Sequence, residues 1–364
     1  MEAIKHQRKF LITTTGCFNT GSSAITHLLS EMDGVCCKTG TYELRLLYDP
    51  DCISDLECHL IENPHRQNTS NAIVRFKKFI DFNSNRLTNY HYEQMCDGHF
   101  REISYDYIRE ISEFCYRACS HIDIYNKGFF PWVLNRVYQK IIFSLYDRIP
   151  PRFLPFSVIG NQKLYAGTFD RSKFLEATRH YMGQILSYMN PSDRDTIIID
   201  QLLPPTNIER YARYLPSDYK LKTFVVERDP RDLYVTCKYL IKTNIIPCQS
   251  PDVFCQWFLW TRRQCQLQPD SDAWMRVRFE DLIYDYENTR QKIIRFCGLE
   301  GRACSKKGQI FNPYLSLNNT QVWYRYPKSL KEVEYIQEHL KDYCYNFDIY
   351  DLKPDFKEGK MFDC

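Results

Sequence analysis

The feature that most restricts the folds open to this chain is a strand-like apolar run that breaks into a polar turn and then a helix, and it occurs twice. The first copy is Lys9-Phe-Leu-Ile-Thr-Thr-Thr-Gly-Cys-Phe-Asn-Thr-Gly-Ser-Ser-Ala24. The second is Phe224-Val-Val-Glu-Arg-Asp-Pro-Arg-Asp232. N–H groups at a helix start have no partner within the helix, and the helix dipole favours negative charge there. Two such turns on one sheet predict a ligand with phosphate-like groups at both ends.

The periodicity elsewhere supports alternating strands and helices. Phe10 to Thr14 reads as the first strand, and Ile25, Leu28, Leu29 and Met32 then recur on one helix face. Thr196-Ile-Ile-Ile-Asp200 and Leu221 to Val226 are short and continuously apolar, as strands covered on both faces are. After the second of these, Asp229 is a candidate N-cap and Pro230 a first helical residue, with Leu233, Cys237, Leu240 and Ile241 facing inward. Met275, Val277 and Phe279 alternate with Arg276 and Arg278, which predicts a strand with one more polar face. Glu287 to Cys297 reads as a helix stopped by Gly298. Ser329-Leu-Lys-Glu332 reads as a capping box opening a last helix that carries Val333, Ile336 and Leu340. The whole predicts an α/β fold with a mostly parallel central sheet flanked by helices. We expect a single domain over residues 1–364, with a helix-leaning, Tyr- and Phe-rich insertion at about 48–192 that covers the ligand edge of the sheet.

Composition removes several classes of function. A net charge of +3 gives no whole-protein basic field for nucleic acid. No run approaches the ~18 apolar residues of a membrane span, and no secretory signal is visible, so a cytoplasmic protein is expected. The 16 cysteines contain no CxxC pair and are expected to be reduced thiols. The nearest approach to a metal-ligand spacing is Cys115, Cys119 and His121 on what reads as an amphipathic helix, and no metal is expected there. Aromatics at 15% suit a large mixed core better than a stacking pocket.

The first turn has the glycine spacing of a nucleotide-hydrolysing P-loop, Gly16-Cys-Phe-Asn-Thr-Gly21-Ser-Ser, but Ser22 stands where that loop has lysine. It can wrap an anion through backbone N–H groups and the hydroxyls of Thr20, Ser22 and Ser23. Magnesium-dependent ATP hydrolysis is disfavoured without the lysine. In the second turn, Arg228 ends a strand and Thr236 follows eight positions on, so a guanidinium and a hydroxyl can converge on a second phosphate. The plain alternative is a surface pair, Arg228 with Asp232 or Arg231 with Asp229.

A third segment, Val277-Arg-Phe-Glu-Asp-Leu-Ile-Tyr-Asp-Tyr-Glu-Asn-Thr-Arg-Gln-Lys-Ile-Ile-Arg-Phe-Cys-Gly-Leu299, resembles the late strand-and-helix element of sulfotransferases that use 3′-phosphoadenosine-5′-phosphosulfate. The resemblance implies a three-layer P-loop-like fold and that nucleotide as co-substrate. It further implies that Asn19, Thr20, Gly21, Ser22, Ser23 and Ala24 form the 5′-phosphosulfate loop, and that Arg228 and Thr236 hold the 3′-phosphate. Phe311 to Trp323 is similar to a late loop that closes over the nucleotide in bacterial members, with Asn319 as a contact. These segments cover about a third of the chain, in the family's order. One position departs: the family's loop starts with Lys or Arg, and this chain has Asn19, an amide that donates hydrogen bonds without supplying charge. Lys38, Arg45 and Lys306 are candidate replacements, Arg45 preferred.

The implied chemistry is in-line displacement at sulfur by an acceptor hydroxyl, with no metal required. It needs a base near the loop. In carbohydrate-type members that base is a glutamate after the first helix, matched here by Glu43, whose plain alternative is an ion pair with Arg45. In phenol and steroid types it is a mid-chain histidine, for which His91, His99 and His121 are available. The expected acceptor is a hydroxyl of a sugar or glycan. A sterol or other small alcohol is the alternative, with Phe129-Phe-Pro-Trp132 as its apolar lining. A P-loop kinase and a nucleotide-binding relative without catalysis are the competing functions.

Overall fold

The computed structural model describes residues 9–38, 43–118, 128–145, 162–242, 244–266 and 271–356. Among them are seven strands: β1 (Lys9–Gly16), β2 (Val35–Cys37), β3 (Ser112–Ala118), β4 (Gln162–Gly167), β5 (Thr196–Asp200), β6 (Tyr219–Glu227) and β7 (Trp274–Arg278). Five build one sheet in the order β2-β5-β1-β6-β7, with every pair parallel. Helices flank it, as expected for an α/β fold.

The reason lies in the apolar runs. Successive residues of a strand point to opposite faces, so a run with no polar alternation needs cover on both. Leu11 and Ile12 are both fully buried, as are Ile197, Ile198 and Ile199. One of these faces packs Ile12, Ile198, Phe224, Val226 and Val277 against Ile25, Leu28 and Leu29 of the helix Ser23–Ser30. Ile293 and Cys297 of the helix Tyr286–Cys297 complete that core. The latter helix ends on Gly298 at φ +67°, the left-handed stop expected.

The order places β1 at the centre, with β5 and β6 on either side. Ligands of open parallel sheets bind beyond the carboxyl ends of strands where the order reverses. Register makes this concrete. Thr14 pairs with Asp200 on one side, and Gly16 pairs with Val226 on the other. The loops after all three strands therefore leave the same edge of the sheet, that after β5 two residues earlier than that after β1.

The chain divides into two compact units, Met1–Tyr48 with Met182–Cys364, and Asp49–Tyr181. The second carries the helices Arg66–Asn83 and Phe100–Glu110 and an antiparallel pair, β3 with β4. Tyrosines form part of its interior. Tyr107 and Tyr181 stack with ring centroids 4.5 Å apart, and their hydroxyls bond to Thr178 at 2.8 Å and Ser104 at 2.5 Å. Buried hydroxyls need such partners, and here the unit supplies them internally.

Three local expectations are corrected. Cys115 lies on β3 and not on a helix; Cys119 and His121 fall outside the described residues. The segment reads as an amphipathic helix, but from Ser112 it pairs antiparallel with β4. The capping box of Ser329 and Glu332 does not form. Ser329 donates to the Tyr326 carbonyl, and Glu332 is taken by Lys238 and by Tyr239 at 2.8 Å. The helix Leu330–His339 still buries Val333 and Ile336, with Leu340 just beyond it. On the helix that starts at Pro230, Leu233 and Cys237 are buried, but Leu240 is only half-buried and Ile241 is exposed. From Thr236 the coil widens to a π-helix, and the 3.6-residue face no longer runs true.

Candidate functional site

The first turn leaves β1 through Gly16 and enters the helix Ser23–Ser30. Two glycines are obligatory there. A Cβ on Gly16 would run into the Thr20 hydroxyl and lie 2.7 Å from the Val226 carbonyl oxygen. Gly21 adopts φ +83°, and a Cβ on it would lie 2.6 Å from the Phe279 ring. Phe18 and Asn19 also take positive φ, which folds the loop back on itself. The N–H of Ala24 bonds to the Gly21 carbonyl and that of Ile25 to Ser22. Those of Gly21, Ser22 and Ser23 have no acceptor among the described residues. Three unpaired donors at a helix start suit an anion.

The second turn works differently from the expectation. Asp229 is the N-cap and Pro230 the first helical residue, but the Asp229 carboxylate closes the helix start itself. It accepts the Arg231 N–H at 2.8 Å, the Arg231 side chain at 2.7 Å and the Tyr345 N–H at 2.7 Å. The Arg231–Asp229 pair is buried, not a surface pair. The helix start is therefore largely closed, with the Asp232 N–H left without an acceptor among the described residues, and an anion at this turn is to be met mainly by side chains.

Arg228 is the one positioned to do so. It is 5% exposed, yet it lies at the centre of four segments. Its Nη1 donates to the Asn19 carbonyl at 3.2 Å, and its Nη2 to Thr236 Oγ1 at 3.4 Å and the Asn319 carbonyl at 2.5 Å. Its guanidinium lies 5.2 Å from the centroid of Phe279, at the end of β7. Its Nε is buried with no partner among the described residues. Asn19 Nδ2 in turn donates to Cys237 Sγ at 3.3 Å. Asn19, Arg228, Thr236 and Asn319, far apart in sequence, are thus in one place.

Three acidic residues hold this arrangement and were not read from the sequence. Asp232 is fully buried and accepts the N–H groups of Gln321 at 2.9 Å and Val322 at 2.6 Å, pinning the segment that carries Asn319. Burial first, then the neighbouring Asp229, push its carboxyl up to about 7, against the pull of Arg228. Glu280 accepts the Asp229 N–H at 2.8 Å. Burial and then the Asp229 charge push it up to about 8. Asp200, at the carboxyl end of β5, accepts from Thr14 at 2.6 Å and Ser22 at 3.3 Å. Burial is the main cause that raises it to about 6; the Thr14 hydroxyl opposes the rise and the charge of Glu43 adds to it. A signal for Asp200 was available: it ends a buried strand beside the glycine loop.

The remaining predicted residues lie as follows. The Leu44 N–H bonds to the Asp200 carbonyl at 3.1 Å, which brings Glu43 and Arg45 to the carboxyl end of β5. Glu43 is exposed and sits 3.6 Å from Arg45 Nε. Thr20, Ser22 and Ala24 are buried in the loop. Lys38 donates to the Tyr188 carbonyl at 3.1 Å, and Lys306 is exposed. His99 is exposed and bonded to Glu102 at 3.2 Å, and His91 is exposed at the start of a short helix. Phe129, Phe130 and Trp132 are exposed on the helix Phe129–Leu145.

No family model matches the chain, and no curated protein matches it. Among solved structures, the sulfotransferase STF1 from Mycobacterium tuberculosis H37Rv is similar at a TM-score of 0.34 and 12% identity, over 92% of this chain and 77% of that one. A likeness that distant bears on neither activity nor ligand.

Proposed function

We propose that this protein is a sulfotransferase that moves a sulfuryl group from 3′-phosphoadenosine-5′-phosphosulfate to an acceptor hydroxyl. The observation that carries this reading is Arg228: a buried cation with an unpaired Nε, shared between the glycine loop after β1 and the Thr236 and Asn319 segments. A guanidinium with spare donors in a buried setting fits a phosphate. The unpaired N–H groups of Gly21 to Ser23 fit a second anionic group. A nucleotide with phosphates on both 3′ and 5′ carbons carries two such anionic groups.

In this reading the loop from Asn19 to Ala24 holds the 5′-phosphosulfate, and Arg228, Thr236 and Asn319 hold the 3′-phosphate. Arg45, beside Glu43 near the end of β5, supplies the charge missing at Asn19. Glu43, held near the end of β5 with Arg45 beside it, accepts the acceptor's proton. The hydroxyl then attacks sulfur in line, and adenosine 3′,5′-bisphosphate leaves. A sugar or glycan acceptor follows from Glu43 and from the polar, Tyr-rich segment after Tyr48. The test is incubation with labelled phosphosulfate donor and a panel of glycans, phenols and sterols, read by mass for one added sulfuryl group. No gain on any acceptor, together with tight bisphosphate binding, would leave a nucleotide-binding protein without catalysis. Magnesium-dependent ATP turnover would point to a kinase.

A further inference from the structure

Two thiols sit against each other at the root of the glycine loop. Cys17 is the first residue after β1, and Cys265 lies on the last turn of the helix Pro251–Gln266. Their sulfurs are 3.5 Å apart. A disulfide is about 2.05 Å long, so closing it needs the two sulfurs to approach by about 1.5 Å. Cys17 is partly exposed, whereas Cys265 is buried. The surroundings favour thiolate at Cys17. The Cys265 hydrogen bond, then the charges of Arg262 and Arg276, draw it down to about 7, against burial and Glu227. Arg276 also donates to the Cys265 carbonyl at 2.8 Å, which fixes the end of that helix. A partly exposed thiol in contact with a buried one is the arrangement of an oxidisable cysteine and its resolving partner.

We propose that Cys17 and Cys265 are a peroxide-responsive dithiol whose disulfide clamps the glycine loop to the helix Pro251–Gln266. The Cys17 thiolate attacks hydrogen peroxide; the O–O bond breaks, Cys17 becomes a sulfenic acid, and hydroxide leaves to take up a proton as water. The Cys265 sulfur then attacks the Cys17 sulfur. The S–S bond forms, the S–O bond breaks, and the Cys265 proton leaves with the hydroxide as a second water. Two thiols and one peroxide give one disulfide and two waters, and peroxide takes the two electrons. A second thiol contact, between Cys237 and Cys248, is less open to peroxide because both residues are buried. Tying Cys17 down displaces the residues after it. The effect on nucleotide binding rests on the reading of the loop as a phosphosulfate site; the disulfide itself does not.

The test uses the full chain, treated with dilute hydrogen peroxide, blocked with N-ethylmaleimide and mapped by mass spectrometry. One peptide pair joined through Cys17 and Cys265 is expected, absent after reduction. In Cys265→Ser, Cys17 is expected to stop at the sulfenic acid and be trapped by dimedone. Amide exchange of the loop peptide is expected to slow on oxidation of the wild type and not of the variant, whether or not any ligand binds. Adenosine 3′,5′-bisphosphate is expected to bind about ten-fold more weakly to the oxidised protein, with recovery on reduction. A link between Cys237 and Cys248 in its place, or no dimedone adduct at Cys17, would overturn the proposal. A mapped Cys17–Cys265 bond with unchanged loop exchange would overturn the clamp. Failure of both redox forms to bind the bisphosphate, with the bond and exchange changes present, would count against the nucleotide reading alone.

Discussion

Arg228 concentrates the argument at the residue scale. A charged hydrogen bond contributes about 1.5–3 kcal/mol, so losing the guanidinium is expected to weaken adenosine 3′,5′-bisphosphate about 10- to 100-fold. AMP lacks the 3′-phosphate, and its affinity is expected to change far less in Arg228→Ala. Calorimetry on both nucleotides checks this, and equal losses would remove Arg228 from a 3′-phosphate site. Glu43 admits a similar separation. Glu43→Gln is expected to keep bisphosphate affinity within about two-fold and to lose transfer, because an exposed amide keeps the shape and drops the proton acceptor. Unchanged turnover would move the base to another group, and Asp200, buried beside Ser22, is the carboxylate the structure offers. Arg228, Thr236 and the loop were legible in the sequence because strand, turn and helix signals fixed their distance from the sheet. Asp232 and Glu280 were not. A carboxylate in Arg-Asp-Leu or Phe-Glu-Asp reads as a solvated surface group, and only the pairing of β6 with β7 shows that both are enclosed.

The strand–turn–helix elements depend on that enclosed network, and its carboxylates make it pH-sensitive. Glu280 has an ordinary unfolded value of about 4.3 and a folded value raised to about 8. The folded state therefore holds more protons across that window, so stability is highest at its acid end and falls as pH rises through it. Asp232, raised to about 7, acts in the same direction. Glu280→Gln keeps a carbonyl to accept the Asp229 N–H but cannot ionise. Its melting temperature is expected to fall less than that of the wild type between pH 5 and about 8, and parallel curves would show that Glu280 is not the titrating group. The loop after β1 carries a steric demand of its own. Gly21→Ala places a Cβ against Phe279 in a left-handed conformation and is expected to cost about 1–3 kcal/mol, read as a lower denaturation midpoint. The expected capping box failed at this same scale. Ser329 and Glu332 had the right spacing, but Lys238 and Tyr239 offered Glu332 a charge-assisted site that no local pattern reveals.

Across the whole molecule, the parallel sheet was readable because strands covered on both faces leave continuous apolar runs. The β3–β4 pair was not, because its half-exposed residues match no single period. The parallel sheet is also what makes ligand binding a stability measurement. Its carboxyl edge gathers chain from β1, β5, β6 and β7, so a ligand held there is bound only by the folded state. Such a ligand stabilises by about 2.7 kcal/mol at a concentration of 100 times Kd. For a chain somewhat larger than the usual calibrants, each kcal/mol raises the melting temperature by about 2 °C, giving a shift of about 5 °C. Adenosine 3′,5′-bisphosphate is expected to produce that shift without magnesium, and AMP a smaller one at the same concentration. At the same concentration the shift is expected to shrink to about 1–3 °C in Arg228→Ala, because 10- to 100-fold weaker binding leaves only about 0.4–1.4 kcal/mol of stabilisation. If ATP with magnesium raised the melting temperature more than the bisphosphate did, the two-phosphate reading of this edge would fail, whatever the fold.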